Sequence, residues 1–365
     1  TSCSPTCGNI PWMWAIRRTN KKAAERLAVP TEGPWGPLRC AAAPFCVDPE
    51  VLLCYNIVQG EPVPQGVQKA RQICGTGQDF EKVSVKIMVK IVTDSSCDIS
   101  LQRCMELGVE MLPITVNFGE ESYRANLDIS NQEFYEKLAA AQELPHTAQI
   151  TPAQFEKIFQ PYKESGDEVV CLFISSQMSG TLQSARVAKN ILGADNIFLP
   201  DTLHVTFALG LLVEEAVKMR DAGLSGAEIV AKIEELVPRV RLFAMIEDLK
   251  YLKMGGRLSS TSALVASILG ICPIITLKDG LVEVVGKARG KKAAFAAIRK
   301  HVEKEPISGD YCVTMGHANA VENCQAFQAY VADLLKKREV HVQDIGSIVG
   351  THAGPGAMGI AYIKK

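Results

Sequence analysis

His352 is the residue in this chain best suited to meet an anion. It lies in Gly350-Thr351-His352-Ala353-Gly354-Pro355-Gly356-Ala357, just ahead of the apolar run Ile360-Ala361-Tyr362-Ile363. Glycines in such a segment let the backbone approach a ligand and expose its N–H groups. A titratable imidazole beside them suits an anionic head group. Ser179 offers a short hydroxyl followed by Gly180 and the start of a helical pattern. Unpaired backbone N–H groups at a helix start favour an anion. Thr147 offers another hydroxyl, on the loop running from Leu144 to Pro152, and Asp94 and Ser95 belong to a polar turn, Thr93-Asp94-Ser95-Ser96. Each also has an ordinary reading. Ser179 could simply cap its helix, Thr147 could bond its own turn, and His352 could be a capped turn residue. Taken alone, Arg289 reads as a solvated charge and Arg257 as the start of a helix.

These groups need elements to position them. From Lys86 the pattern is strand, polar turn and helix, repeated. Apolar strands are expected at Ile87–Thr93, Val109–Phe118, Glu168–Ile174 and Asn196–Pro200. Helices are expected near Ser100–Leu107, Asn131–Glu143, Ala153–Ser165, Leu182–Ile191, Val205–Ala222 and Ser225–Leu236, with a Ser130/Glu133 capping box. Such alternation argues for a parallel α/β sheet, whose ligands gather at the carboxyl ends of strands. Thr93–Ser96, Ser175–Thr181 and Asp201-Thr202 lie at such ends. The second half reads differently. It has a strand at Arg241–Ile246, helices at Asp248–Met254 and Thr261–Leu269, and a hairpin around Lys278-Asp279-Gly280. Helices Ala293–Lys304 and Ala320–Lys337 then alternate with strands Tyr311–Met315 and Val340–Ile345. The expected division is 88–240 and 241–365.

Composition bounds the rest. The 365 residues are 47% hydrophobic with a net charge of −1, which gives no bulk attraction to nucleic acid or anionic lipid. No apolar run reaches the roughly 18–20 residues of a membrane span. Residues 1–87 stand apart. They hold all three Trp and six of the 12 Cys but none of the six His, and they do not open with Met. They read as an atypical Cys/Pro/Trp-rich extension, with Met88 the expected natural start. The six later cysteines (Cys97, Cys104, Cys171, Cys272, Cys312 and Cys324) are isolated in apolar contexts and read as reduced core thiols, which points to the cytoplasm.

Six segments occur together in a telling order. They are Thr93-Asp94-Ser95-Ser96, the Thr147 loop, Ser179-Gly180-Thr181-Leu182-Gln183-Ser184-Ala185, Tyr251 through Ser259, Lys287-Ala288-Arg289-Gly290, and Gly350–Ala357. In this the chain, over about 88–365, resembles the DegV family. The resemblance implies two α/β domains, an N-terminal parallel-sheet domain and a C-terminal one, with a long-chain fatty acid such as palmitate between them. It implies a bacterial, non-catalytic subunit of a fatty acid kinase. A separate catalytic subunit would phosphorylate the presented carboxylate with ATP, with no metal or cofactor of this chain's own. Carried over by motif, Thr147 and Ser179 bind the carboxylate, and His352, Ser95 and Gly180 support the head group. Arg289 would lie on the kinase-docking face, and Arg257 would either dock or tie the domains together. The family often has Gln-Pro after the threonine; here Ala148-Gln149-Ile150 follows. The tail could run along Ala263–Ile271, Val205–Leu212 or Phe243–Ile246.

Two rival readings use the same residues. A serine hydrolase would take Ser179 as nucleophile and His352 as base, but Gln177-Met178-Ser179-Gly180-Thr181 is no nucleophile elbow. A phosphate or nucleotide binder would use Gly350–Gly356, which has neither the Walker nor the Rossmann glycine pattern.

Overall fold

The computed structural model describes residues 88–259, 270–336 and 338–365. The expectations for 1–87 and for a helix at 261–269 lie outside these residues. Strand β1 (Val89–Asp94) is central in a four-stranded parallel sheet with β2 (Val109–Leu112), β6 (Glu168–Leu172) and β7 (Ile197–Phe198), in the order β2-β1-β6-β7. Helices on both faces bury such strands, which is why Ile91-Val92 and Val169 through Leu172 read as continuous apolar runs. Between them lie α1 (Leu101–Leu107), α2 (Asn131–Ala140), α3 (Pro152–Ser165) and α4 (Thr181–Leu192). The Ser130/Glu133 capping box opens α2 as expected.

The single strand expected at 109–118 is two. Pro113 has no N–H to donate to a ladder, and the chain leaves the parallel sheet there. β3 (Thr115–Phe118) then pairs antiparallel with β4 (Glu121–Arg124) and with β5 (His146–Ala148). Thr147 is therefore on a strand, opposite Val116, and not in a loop.

From 240 onward the chain builds a six-stranded mixed sheet. Its strands are β8 (Val240–Met245), β9 (Ile271–Lys278), β10 (Leu281–Arg289), β11 (Val313–His317), β12 (Val340–Asp344) and β13 (Met358–Ile363), in the order β10-β9-β8-β13-β11-β12. Only β11 and β12 pair in parallel. One face carries Phe243, Met245, Ile274, Met315 and Ile360 against Phe295 and Ile298 of α8 (Lys291–Lys304) and Phe327 of α9 (Val321–Tyr330). The long helix expected at 320–337 breaks at Val331 into α9 and the short α10 (Ala332–Leu335).

The other face meets α5 (Thr206–Asp221), which packs against strands of both large sheets. Residues 206 to 217 of α5 are all buried, so the helix is enclosed on every side. Two glycines permit the close approach. A Cβ on Gly210 would lie 2.8 Å from the Cys97 carbonyl oxygen, and one on Gly316 would lie 2.0 Å from the Phe207 ring. Helix α6 (Gly226–Leu236) follows α5, and α7 (Lys250–Met254) follows β8. All six cysteines from Cys97 to Cys324 are free and buried.

The glycine-rich segment before β13 is only partly a turn. Ser347–Ala353 form a helix, α11, so His352 sits in its last turn. Gly350 must be glycine, since a side chain there would collide with Tyr135 and Phe134, at 2.7 and 2.8 Å from its Cβ position. Packing against α2 fixes the segment despite its weak helix propensity.

Candidate functional site

A cavity of about 140 Å³ lies where the sheets face each other. Seventeen of its 24 lining residues carry apolar side chains, from Ile114 and Ile174 on one side to Leu242, Ile275 and Val282 on the other. The strand period explains which residues face it. Leu242 and Ala244 of β8 line the cavity, with Ile246 just beyond, while Phe243 and Met245 point to the opposite core. Val205, Thr206 and Phe207 line it from the start of α5. Of the three tail runs expected from sequence, these belong to two, and the third lies almost wholly outside the described residues.

The polar lining is Thr147, Gln149, Ser179, Thr206, Arg257 and His352. β5 supplies Thr147, α11 supplies His352, and their side chains meet at 3.3 Å, Oγ1 to Nε2. Burial, and secondarily the charge of Arg257, pull the His352 pKa down to about 4, so the ring is neutral at pH 7. Its Nδ1 is buried without a hydrogen-bond partner. A proton there would be a stranded donor. We therefore assign the proton to Nε2, which donates to Thr147 Oγ1 and leaves the threonine hydroxyl hydrogen free for a third group.

Ser179 sits just before the N-terminus of α4. Its Oγ accepts from the Thr181 backbone N–H at 3.3 Å and lies 2.9 Å from Thr181 Oγ1. The helix's formal cap, Gly180, has no side chain to fill the site. A Cβ there would lie 2.0 Å from Gln149 Oε1, so glycine makes room for Gln149, whose amide donates to Ser184 Oγ at 2.9 Å. The cavity's polar groups thus include two hydroxyls, a helix N-terminus and the Arg257 guanidinium, a set suited to an anion.

Arg257 donates from Nε to the Met178 carbonyl at 3.2 Å, and it also bonds the Gly255 carbonyl. It therefore links residues on the two sides of the cavity while lining the cavity itself. Sequence reasoning treated it only as a tie or a docking residue. It also missed Gln149, although its position two residues after Thr147 is a signal for the same side of an extended segment. Thr206 lies in the expected tail run Val205–Leu212, but it was not singled out as a polar group. It has a positive φ of 57°, costly for a β-branched residue, and its hydroxyl bonds Asp98 at 2.5 Å.

Ser95 is not among the cavity's lining residues. It is buried, and its Oγ accepts from the Ile114 backbone N–H at 3.0 Å. Ser95 thus supports the chain at Ile114 from outside the cavity's lining. Asp94 is likewise buried and spends its carboxylate on the N–H groups of Ser96 and Ile174. Arg289 is exposed at the end of β10 and outside the cavity.

A second groove, of about 740 Å³, shares Thr147, Arg257 and His352 with the cavity. Lys250, Tyr251, Glu143 and His146 line its outer part. The part of the cavity lined by Thr147, Arg257 and His352 therefore abuts a broader groove.

Comparison with known proteins places this architecture. The sequence profile described as "Uncharacterised protein, DegV family" matches residues 88–365. A DegV domain-containing protein of Caldanaerobacter subterraneus subsp. tengcongensis is 34% identical over 278 residues, covering 76% of this chain and 99% of the relative. The solved stearic acid-binding protein of Eubacterium ventriosum is 29% identical with a TM-score of 0.70, covering 76% of this chain and 99% of its own. A fatty acid-binding DegV family protein from Thermus thermophilus is 28% identical with a TM-score of 0.70, covering 76% and 100%. The chain belongs to the DegV family.

Proposed function

We propose that this protein binds one long-chain fatty acid, such as palmitate, and presents its carboxylate to a separate kinase subunit. The carboxylate is held by Thr147 Oγ1 and Ser179 Oγ. The observation that supports this reading is a single apolar cavity whose lining holds both hydroxyls and borders a wider groove. Burying a methylene contributes about 0.8 kcal/mol, so a sixteen-carbon tail supplies roughly 10 kcal/mol before the costs of binding. A hydroxyl contact supplies about 1–3 kcal/mol. The tail therefore sets affinity and the hydroxyls set direction. Neutral His352 aims the Thr147 hydroxyl, and Arg257 with the α4 N-terminus offsets the negative charge.

The groove is where a phosphoryl donor would reach the carboxylate, and Arg289 is assigned to the face that docks the kinase. The acyl phosphate then forms on the partner's catalytic groups, with this chain as carrier. Its free buried thiols fit a reducing compartment such as the cytoplasm. The hydrolase reading is disfavoured by geometry. His352 pairs with Thr147 and not with Ser179, and no acid orients its Nδ1.

Thr147→Ala combined with Ser179→Ala should weaken binding by about 2–6 kcal/mol, roughly thirtyfold or more, and so reduce the fatty acid retained through purification, read by mass spectrometry of the organic extract. Equal lipid in variant and parent would remove the hydroxyl pair from the head-group site. Arg289→Ala should leave fatty acid binding unchanged and lower acyl-phosphate formation with a kinase partner. Unchanged phosphorylation would remove Arg289 from the docking face.

A further inference from the structure

A second polar cluster lies away from the lipid cavity, on the far part of α5. Glu214 of α5, Cys312 just before β11 and His341 of β12 each bring a potential ligand atom, all within 4.8 Å of one another. Glu214 is only 3% exposed and Cys312 only 4%. Glu214 already faces His341 Nδ1 at 2.7 Å and Arg103 Nε at 3.7 Å, so an ion here would take over from the His341 proton as its main counter-charge. We propose that Glu214, Cys312 and His341 form a site for a borderline-soft divalent transition ion, best matched by Zn²⁺.

The geometry supports this in four ways. Zn²⁺ with bonds of roughly 2.0–2.3 Å to O, N and S needs its ligand atoms about 3.3–3.8 Å apart. Here Cys312 Sγ is 3.9 Å from Glu214 Oε2, so small side-chain movements complete the set. His341 Nδ1 lies 2.7 Å from Glu214 Oε2, an ion-pair approach that sets two ligand atoms side by side. An ion would replace the proton between them and part the two atoms by about 0.6 Å. The other ring nitrogen, Nε2, is 2.8 Å from Glu339 Oε1. A carboxylate on the distal nitrogen is the usual means of orienting a metal-bound imidazole. Finally, Glu214 and His341 line a polar cavity of about 400 Å³, which gives the ion a route in and a water a fourth position.

The ligand chemistry selects the ion. A thiolate and an imidazole exclude Mg²⁺ and Ca²⁺, which take oxygen. Thiolate and carboxylate together balance the 2+ charge, with the Cys312 thiol proton and the His341 Nδ1 proton released to solvent. Arg103 lies 3.7 Å from the other Glu214 oxygen and 3.5 Å from Glu106, and Lys218 pairs with Glu215. The ion would join α5 to the β11–β12 edge of the six-stranded sheet, and the proposal does not rest on the lipid reading.

Co²⁺ titration of the full chain, stripped with chelator and kept reduced, tests it. The parent should show a thiolate-to-cobalt charge-transfer band with tetrahedral visible bands, reversed by Zn²⁺. Cys312→Ser should lose that charge-transfer intensity by one thiolate equivalent, a difference that separates this site from the cysteines of residues 1–87. Glu339→Gln, an exposed change that preserves the ligands, should weaken Zn²⁺ binding roughly tenfold to a hundredfold. Identical cobalt spectra in the parent and Cys312→Ser, or Glu339→Gln binding Zn²⁺ as tightly as the parent, would overturn the assignment.

Discussion

Gly255→Ala isolates the contribution of His352 without replacing a polar side chain. Gly255 has right-handed helical dihedrals, φ −72° and ψ −13°, which alanine adopts freely. The space is the obstacle. The new Cβ would lie 2.2 Å from His352 Nδ1 and 3.0 Å from Cε1. Ordinary van der Waals contact begins at 3.4 Å, so the ring must retreat by about 1.2 Å. A shift of that size away from Thr147 Oγ1, now 3.3 Å from Nε2, breaks their hydrogen bond. A lost neutral hydrogen bond costs about 0.5–1.5 kcal/mol, or roughly two- to tenfold in affinity. The assay is titration with a long-chain fatty acid by calorimetry, with thermal unfolding alongside. Gly256→Ala serves as the control. Its φ is +67° with nothing within 4 Å, so it should lower stability through backbone strain and leave affinity unchanged. Parental affinity in Gly255→Ala, with the imidazole shown to be displaced, would refute the claim that His352 acts through Thr147.

Three further outcomes are expected. Ala244→Phe places a ring in the apolar lining and displaces three or four methylenes, so affinity for a sixteen-carbon acid should fall by about a hundredfold while shorter acids bind nearly as in the parent; equal loss at every chain length would argue against an elongated tail site. Gly316→Ala overpacks Phe207 and should cost about 1–3 kcal/mol in denaturant unfolding, since its Cβ would lie 2.0 Å from that ring. Burial lowers the His204 pKa to about 4 from 6.5. Its folded form therefore holds a proton less readily than its unfolded form, so the stability it permits is present above pH 6.5 and lost as pH falls toward 4. Relative to His204→Asn, the parent should lose up to about 3 kcal/mol across that window, and parallel pH curves would contradict it.

The site was readable in the sequence where chemistry is local. Ser179, Gly180 and the α4 start follow from neighbouring residues, and the Ser130/Glu133 capping box is a contiguous signal. What was misread depends on distant packing. Thr147 joins a strand only because Val116, 31 positions earlier, pairs with it. Gly350 packs so close to Phe134 and Tyr135 that no side chain fits there, a contact that neighbouring residues do not signal. Periodicity marked Phe243–Ile246 as apolar but could not say which alternate residues face a cavity and which face α8, since both surfaces of β8 are buried. Ser95 shows the converse error. A short hydroxyl at a strand end reads as ligand-binding, yet here it satisfies the Ile114 N–H.

The most direct measurement is a crystal structure of the chain grown with palmitate. The carboxylate should lie within hydrogen-bond distance of both Thr147 Oγ1 and Ser179 Oγ, with the tail running past Leu242 and Ile275. A carboxylate at the opposite end of that cavity, or an acid bound anywhere else, would contradict the account.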